Sequence, residues 1–171
     1  MDTAVVFNLE TVLSLVVFFF IVQWYGKPWL MTLGPRGALV PLLLFSSFRF
    51  LGLSFLVPNW TAGLPAAFAT PAATGDFIVS LIALAAALAL RYGLGFGIAL
   101  AWLYTVAGTL DFIYAGSLAN ANPVPQTIGP LWPLMSVLGP AWMVALAFLY
   151  RFLIWPAPAA AESREIRASR A

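Results

Sequence analysis

The chain has 171 residues, of which 63% are hydrophobic and only 8% charged, with a mean hydropathy of +0.96. Eight Lys and Arg and six Asp and Glu are too few to coat a soluble domain of this size, in which about a quarter of residues are charged, and a net charge of +2 gives no basic footprint for nucleic acid. There is no Cys and no His, which excludes disulfides, thiolate metal sites, iron–sulfur clusters and thiol catalysis, and removes the usual haem ligand, zinc ligand and general base.

A membrane-crossing helix needs about 20 mostly apolar residues. The first candidate covers residues 3–25, around the core TVLSLVVFFFIVQW; its start, MDTAVVFNLE, carries acids where a signal peptide carries bases, so it is read as a retained span. The loop GKPWLMTLGPR leads to a second span at 37–56. Residues 57–75 form an apolar connection with Pro58, Pro65 and Pro71, which argue against one continuous helix and suggest an interfacial or re-entrant segment. A short third span follows at 76–90 and, after the turn RYGLG, a fourth at 96–118. The Pro-rich stretch ANANPVPQTIGP precedes a fifth at 131–154, shaped by Pro133 and Pro140. Residues 1–155 are thus expected to form an all-α polytopic membrane bundle of five helices, and 156–171 a disordered cytoplasmic tail.

Charge placement orients this scheme. Lys27, Arg36, Arg91, Arg151, Arg164, Arg167 and Arg170 all fall on one side of a five-span chain, and the opposite connections hold no Lys or Arg. The positive-inside rule then places the N-terminus outside and the C-terminus inside, as expected for a multi-pass protein of a cell membrane, the inner membrane if the source is bacterial. Trp24, Tyr25, Trp29, Tyr92, Tyr150 and Trp155 at the inner ends, and Trp60 and Trp132 at the outer ones, fit interfacial belts. The odd number of spans argues against a simple inverted-repeat transporter.

Four ionisable residues remain in or at the ends of spans: Glu10, Arg49, Asp76 and Asp111. Counted from the inner ends, all four lie roughly 18–22 Å along their helices, in the outer third of the hydrocarbon. Lipid penalises such charges, so they are expected to face inward and meet, forming a substrate- or ion-binding site. Small neighbours, among them Ser14, Ser46, Gly52, Ser80 and Gly108, permit close approach. Trp60, Tyr104 and Tyr114 are the expected lining of a cavity there, with residues 57–75 as its lid. The plainer alternatives are that Asp76, after Thr74 and Gly75, only complements a helix N-terminus, and that an Arg49–Asp111 pair only locks two helices together. GLGFG at 93–97 lacks dinucleotide-binding context and reads as a turn, and Asn59-Trp60-Thr61 is a formal glycosylation sequon.

The stretch FRFLGLSFL, then LPAAFATPAATGD, with Trp102, Gly108 and Asp111 in the later segment WLYTVAGTLD, resembles a recurring pattern in small uncharacterised bacterial membrane proteins. The resemblance covers residues 48–116 and departs from the pattern at Ala73, where Gly is expected. It implies that Arg49, Asp76 and Asp111 belong to one constellation, and it supplies no activity. The residues support binding or transport of a small molecule, proton or cation at an outward-facing charged site. The alternative is a non-catalytic subunit of a larger membrane complex or homo-oligomer. No catalytic residue, metal ligand set or cofactor is indicated, and the expected partner is the lipid bilayer.

Overall fold

The computed structural model describes residues 2–158, and among these all regular structure is helical. Five helices are long and apolar enough to cross a membrane: α1 (Thr3–Met31), α2 (Gly34–Leu56), α3 (Ala66–Arg91), α4 (Gly97–Ala121) and α5 (Gly129–Ile154). The expected tail from residue 159 onward lies outside the described residues.

Local chemistry sets the ends and irregularities. Asp2 caps α1, its carboxylate accepting from the Ala4 amide at 3.1 Å. The helix then widens into a π turn at Val22–Gly26, closed by the Lys27 amide donating to the Val22 carbonyl. Pro28 follows directly. A proline cannot donate to the carbonyl four residues back, and its ring collides with that carbonyl in a regular helix. The same arrangement recurs in α5, where the π turn Leu134–Leu138 is closed by the Gly139 amide on the Leu134 carbonyl and Pro140 follows. In both cases one wide turn absorbs the proline and the helix continues, so α1 runs to Met31, beyond the expected end at Tyr25.

The largest departure from the sequence reading is at α3, which starts at Ala66 instead of Asp76. Pro71 is the sixth residue and lies inside the helix, so one bond to the Ala67 carbonyl is lost, and the helix continues past it. Asp76 is therefore about three turns into a long helix, not at its N-terminus, and the third span is not short. Only residues 57–65 remain as a connection. At its other end α3 stops at Gly93 (φ +71), with the Leu94 amide reaching back to Ala89 at 2.8 Å, a helix-ending motif that needs the left-handed conformation.

The second half of α2, Phe48–Leu56, is a 3-10 helix. With three residues per turn, side chains three apart eclipse, and Arg49, Gly52 and Phe55 line up as its buried row. Nine residues at about 2.0 Å rise also reach about 4–5 Å further than α-helix would.

Helix α3 is the centre of the packing, with α2 and α4 on its flanks; α5 packs on α2, and α1 on α5. The centre is alanine-rich: Ala69, Ala72, Ala73, Ala83, Ala86, Ala87 and Ala89 are all buried on α3, which lets neighbouring backbones approach closely. The Thr3–Ile21 part of α1 has no buried residue and lies at the periphery; in the rest of the helix only Leu30 is buried. At one end of the bundle the two long connections meet, the Ala62 amide donating to the Thr127 carbonyl at 2.8 Å, above a small core of Phe55, Phe68, Val124, Ile128 and Leu131.

Candidate functional site

Arg49 is the largest fully buried side chain, 1% exposed. The 3-10 row of α2 aims it at α3 and α4, which supply one acid each. Its Nε donates to Asp76 Oδ1 at 2.7 Å, and Nη2 lies 2.6 Å from the same oxygen. Nη2 also donates to Asp111 Oδ2, and Nη1 reaches the Gly108 carbonyl at 3.3 Å. Phe112 covers the guanidinium, its ring centroid 4.0 Å from Cζ. A buried guanidinium is tolerable only with its donors used and its charge balanced, and this set does both.

Three glycines make the geometry possible. A Cβ on Gly52 would overlap the Asp76 carboxylate and lie 2.9 Å from Asp76 Cβ. A Cβ on Gly75 would overlap the Asp111 carboxylate, with Asp111 Cγ at 3.0 Å. One on Gly108 would stand 3.3 Å from Arg49 Nη1 and 3.5 Å from the Tyr104 ring. Each acid thus turns one oxygen to Arg49 and lays the other against a glycine of the neighbouring helix. Gly52 and Gly108 are readable as small residues beside charges. Gly75 is not, because the segment before Asp76 reads as a loop.

The four sequence-predicted charges separate into two groups. Arg49, Asp76 and Asp111 meet. Glu10 stands apart: it accepts a hydrogen bond from Trp132 Nε1, and Phe7 packs edge-on to the same indole at 5.1 Å between centroids. Glu10 therefore ties α1 to the start of α5.

A cavity of about 290 Å³ opens beside the cluster, walled by parts of all five helices. Arg49 and Asp76 form its charged wall; Phe55, Phe68, Ala72 and Phe112 line it, and α1 and α5 close it with Phe7, Thr11, Met135 and Trp142. The expected aromatic lining is replaced. Trp60 and Tyr114 are 54% and 53% exposed and lie outside the cavity, while Tyr104 is wholly buried beside the cluster and does not line it. The expected lid is also different: Phe68 and Ala72 do contribute, but from within helix α3, and residues 57–65 do not line the cavity. The signal missed in the sequence is the aromatic directly after the charge, Phe112 following Asp111.

Several polar groups near this region have no hydrogen-bond partner among the described residues: Ser46 Oγ, Tyr104 OH, Ser136 Oγ and Trp142 Nε1. Trp142 also lines the cavity. Buried donors and acceptors left unpaired are costly and are commonly completed by water or ligand. Among the described residues no group of three or more acids could hold a metal ion.

A family model for the domain of unknown function DUF8737 matches residues 6–154. The chain belongs to that family. The match covers the whole cluster and all of the five helices but the first three residues of α1, so the site lies within the DUF8737 domain. No curated protein and no solved structure matches the chain.

Proposed function

We propose that this DUF8737 protein is a multi-pass membrane protein that binds a small, mostly apolar molecule carrying a cationic group, with the cavity on the outward half of the bundle. One observation carries this reading: two carboxylates face one guanidinium at the wall of an apolar cavity. With all three ionised the cluster is formally one negative charge in excess. Arg49 has directed its donors at Asp76, Asp111 and Gly108 and is poorly placed to receive an anion. A cation near Asp76 balances the excess, and the aromatic wall favours cations over anions. The volume is about twice that of a dry 150 Å³ cavity able to hold benzene, so a compact ligand fits and a drug-sized one does not. The one-sided basic residues support an N-outside, C-inside orientation, which puts this end of the bundle outward.

The test is a ligand series on purified protein in lipid nanodiscs. Small alkyl- and arylammonium ions are compared with uncharged molecules of the same shape by calorimetry and thermal shift. The ammonium ions should bind at least tenfold more tightly. Asp76→Asn should remove that advantage, and Ala115→Phe, which fills the cavity from α4, should remove binding of both. Equal binding of charged and uncharged members would leave an apolar pocket with a structural charge cluster. No binding at all would favour the accessory-subunit reading.

A further inference from the structure

A second site lies on the flank between α1 and α5, running from Met143, which it shares with the cavity, toward the Lys27 end of the bundle. An apolar groove of about 510 Å³ runs between the two helices, with Leu15, Phe19, Met143 and Ala147 among its walls. It continues into a pocket of about 220 Å³ that shares Phe19 and Ala147 and adds Gln23, Lys27 and Arg151. One continuous depression therefore passes from hydrocarbon side chains to two cations and an amide.

Neither Lys27 nor Arg151 has a counter-ion among the described residues. Among the described residues the acids are Asp2, Glu10, Asp76 and Asp111, and the only ion pairs are those of Arg49. Lys27 and Arg151 are half-buried against the groove, not spread on an exposed rim. Arg151 is oriented: its Nη1 donates to the Trp155 carbonyl at 2.6 Å, and its guanidinium lies 5.4 Å from the Trp155 ring.

The backbone aligns the two halves. Phe19, Gln23 and Lys27 are spaced by four residues, and in a regular α-helix two such steps drift off line. The π turn at Val22–Gly26 takes that drift out, so Lys27 returns to the face of Phe19. On α5, Met143, Ala147 and Arg151 repeat the same spacing. From Leu15 to Lys27 the groove extends about 18 Å, close to the depth of one leaflet of a core about 30 Å thick.

We propose that this depression is a binding site for a phospholipid with an anionic headgroup: the phosphate on Lys27, Arg151 and Gln23, and an acyl chain along the groove. Basic pockets between helices at the membrane interface recognise such headgroups, while a zwitterionic lipid brings its own cation and competes poorly. The proposal rests on the membrane reading above but not on the ligand proposed for the cavity.

The test uses the full chain in mixed vesicles and nanodiscs of phosphatidylcholine with or without phosphatidylglycerol, read by retained lipid in native mass spectrometry. The wild type should retain phosphatidylglycerol preferentially. Removing one basic side chain should weaken retention about fivefold, and Lys27→Gln with Arg151→Gln about 25-fold. The pair Arg36→Gln with Arg91→Gln removes the same charge from exposed positions at the same end and should leave the preference intact. Ala147→Phe, at an exposed position, fills the groove and should reduce retention with no charge change, which keeps the test decisive if the double variant does not fold. Equal loss in both charge pairs would mean diffuse electrostatics and would overturn the site. So would displacement of the lipid by millimolar inorganic phosphate, which would make it a site for a free anion. A chain that enters no bilayer overturns the membrane reading and the site with it; one that enters bilayers without lipid preference overturns the site alone.

Discussion

Gly75 on α3 faces Asp111 on α4 so closely that any Cβ at position 75 would occupy the space of the carboxylate. The pair fixes the distance between the two helices at the level of Arg49. It also explains why a residue without a side chain stands inside a helix, where Gly costs about 0.5–1 kcal/mol relative to Ala. Gly75→Ala should gain that helix propensity and lose more through displacement of Asp111. The expected net destabilisation is about 1–3 kcal/mol, the range for forcing one methyl into a packed interior. Gly95→Ala is the comparison, since a Cβ there meets nothing within 4 Å. Thermal unfolding in detergent should separate the two, and an unchanged midpoint for Gly75→Ala would show that α4 can retreat at no cost.

Arg49 holds two acids, and its loss strands both. Arg49→Met is expected to destabilise by about 3–5 kcal/mol, the range found when one partner of a buried ion pair is removed. Asp76→Asn should cost less, because the amide oxygen still accepts from Nε and Asp111 still balances the charge. The combination of Arg49→Met with Asp76→Asn and Asp111→Asn should recover part of the loss, because no unpaired charge remains. Losses that simply add across the three changes would mean that the groups do not act as a unit.

Which features the residues disclosed depends on how local their signals are. The five apolar segments are self-contained, and all five occur as helices. The meeting of Arg49 with Asp76 and Asp111 follows from their shared depth and from the cost of leaving any of them in lipid. Two features needed tertiary information. Pro58, Pro65 and Pro71 read as one irregular stretch, but Pro71 lies inside α3 and removes one backbone bond without ending the helix. That error moved the start of α3 by ten residues and hid Gly75. Glu10 shares the depth of the other charges, but depth does not fix azimuth: α1 packs on α5, so its acid meets Trp132 instead of Arg49.

The Glu10–Trp132 contact carries its own prediction. The Thr3–Ile21 part of α1 contributes no buried residue, so specific contacts matter more for its placement than for the other helices. Trp132→Phe keeps the ring beside Phe7 and removes only the donor. It should loosen α1 at a cost of about 1.5–3 kcal/mol, typical for a hydrogen bond to a charged group. Hydrogen exchange should rise along the first turns of α1 and stay unchanged in α3. A rise spread evenly over all helices would assign Trp132 to the stability of the whole bundle.

Topology is the prediction on which the orientation of both sites depends. Alternating helices bring the start of α2, the end of α3, the start of α4 and the end of α5 to the same side as Lys27. Arg36, Arg91 and Arg151 follow these helices to that side, and no Lys or Arg lies in residues 57–65 or 122–128. If basic loops are retained on the cytoplasmic side, the prediction is that the Lys27 end faces inward and the meeting of the two long connections outward. Reporters fused after Asn122 and after Ala171 should mark opposite sides, with the second cytoplasmic. Replacing Lys27, Arg36 and Arg91 with Gln should weaken that bias, and adding Lys residues to 57–65 should produce a mixed or inverted population. Same-side reporters in the wild type would mean that α5, the one long apolar helix between the two fusion points, does not cross the membrane, and would end the five-span topology.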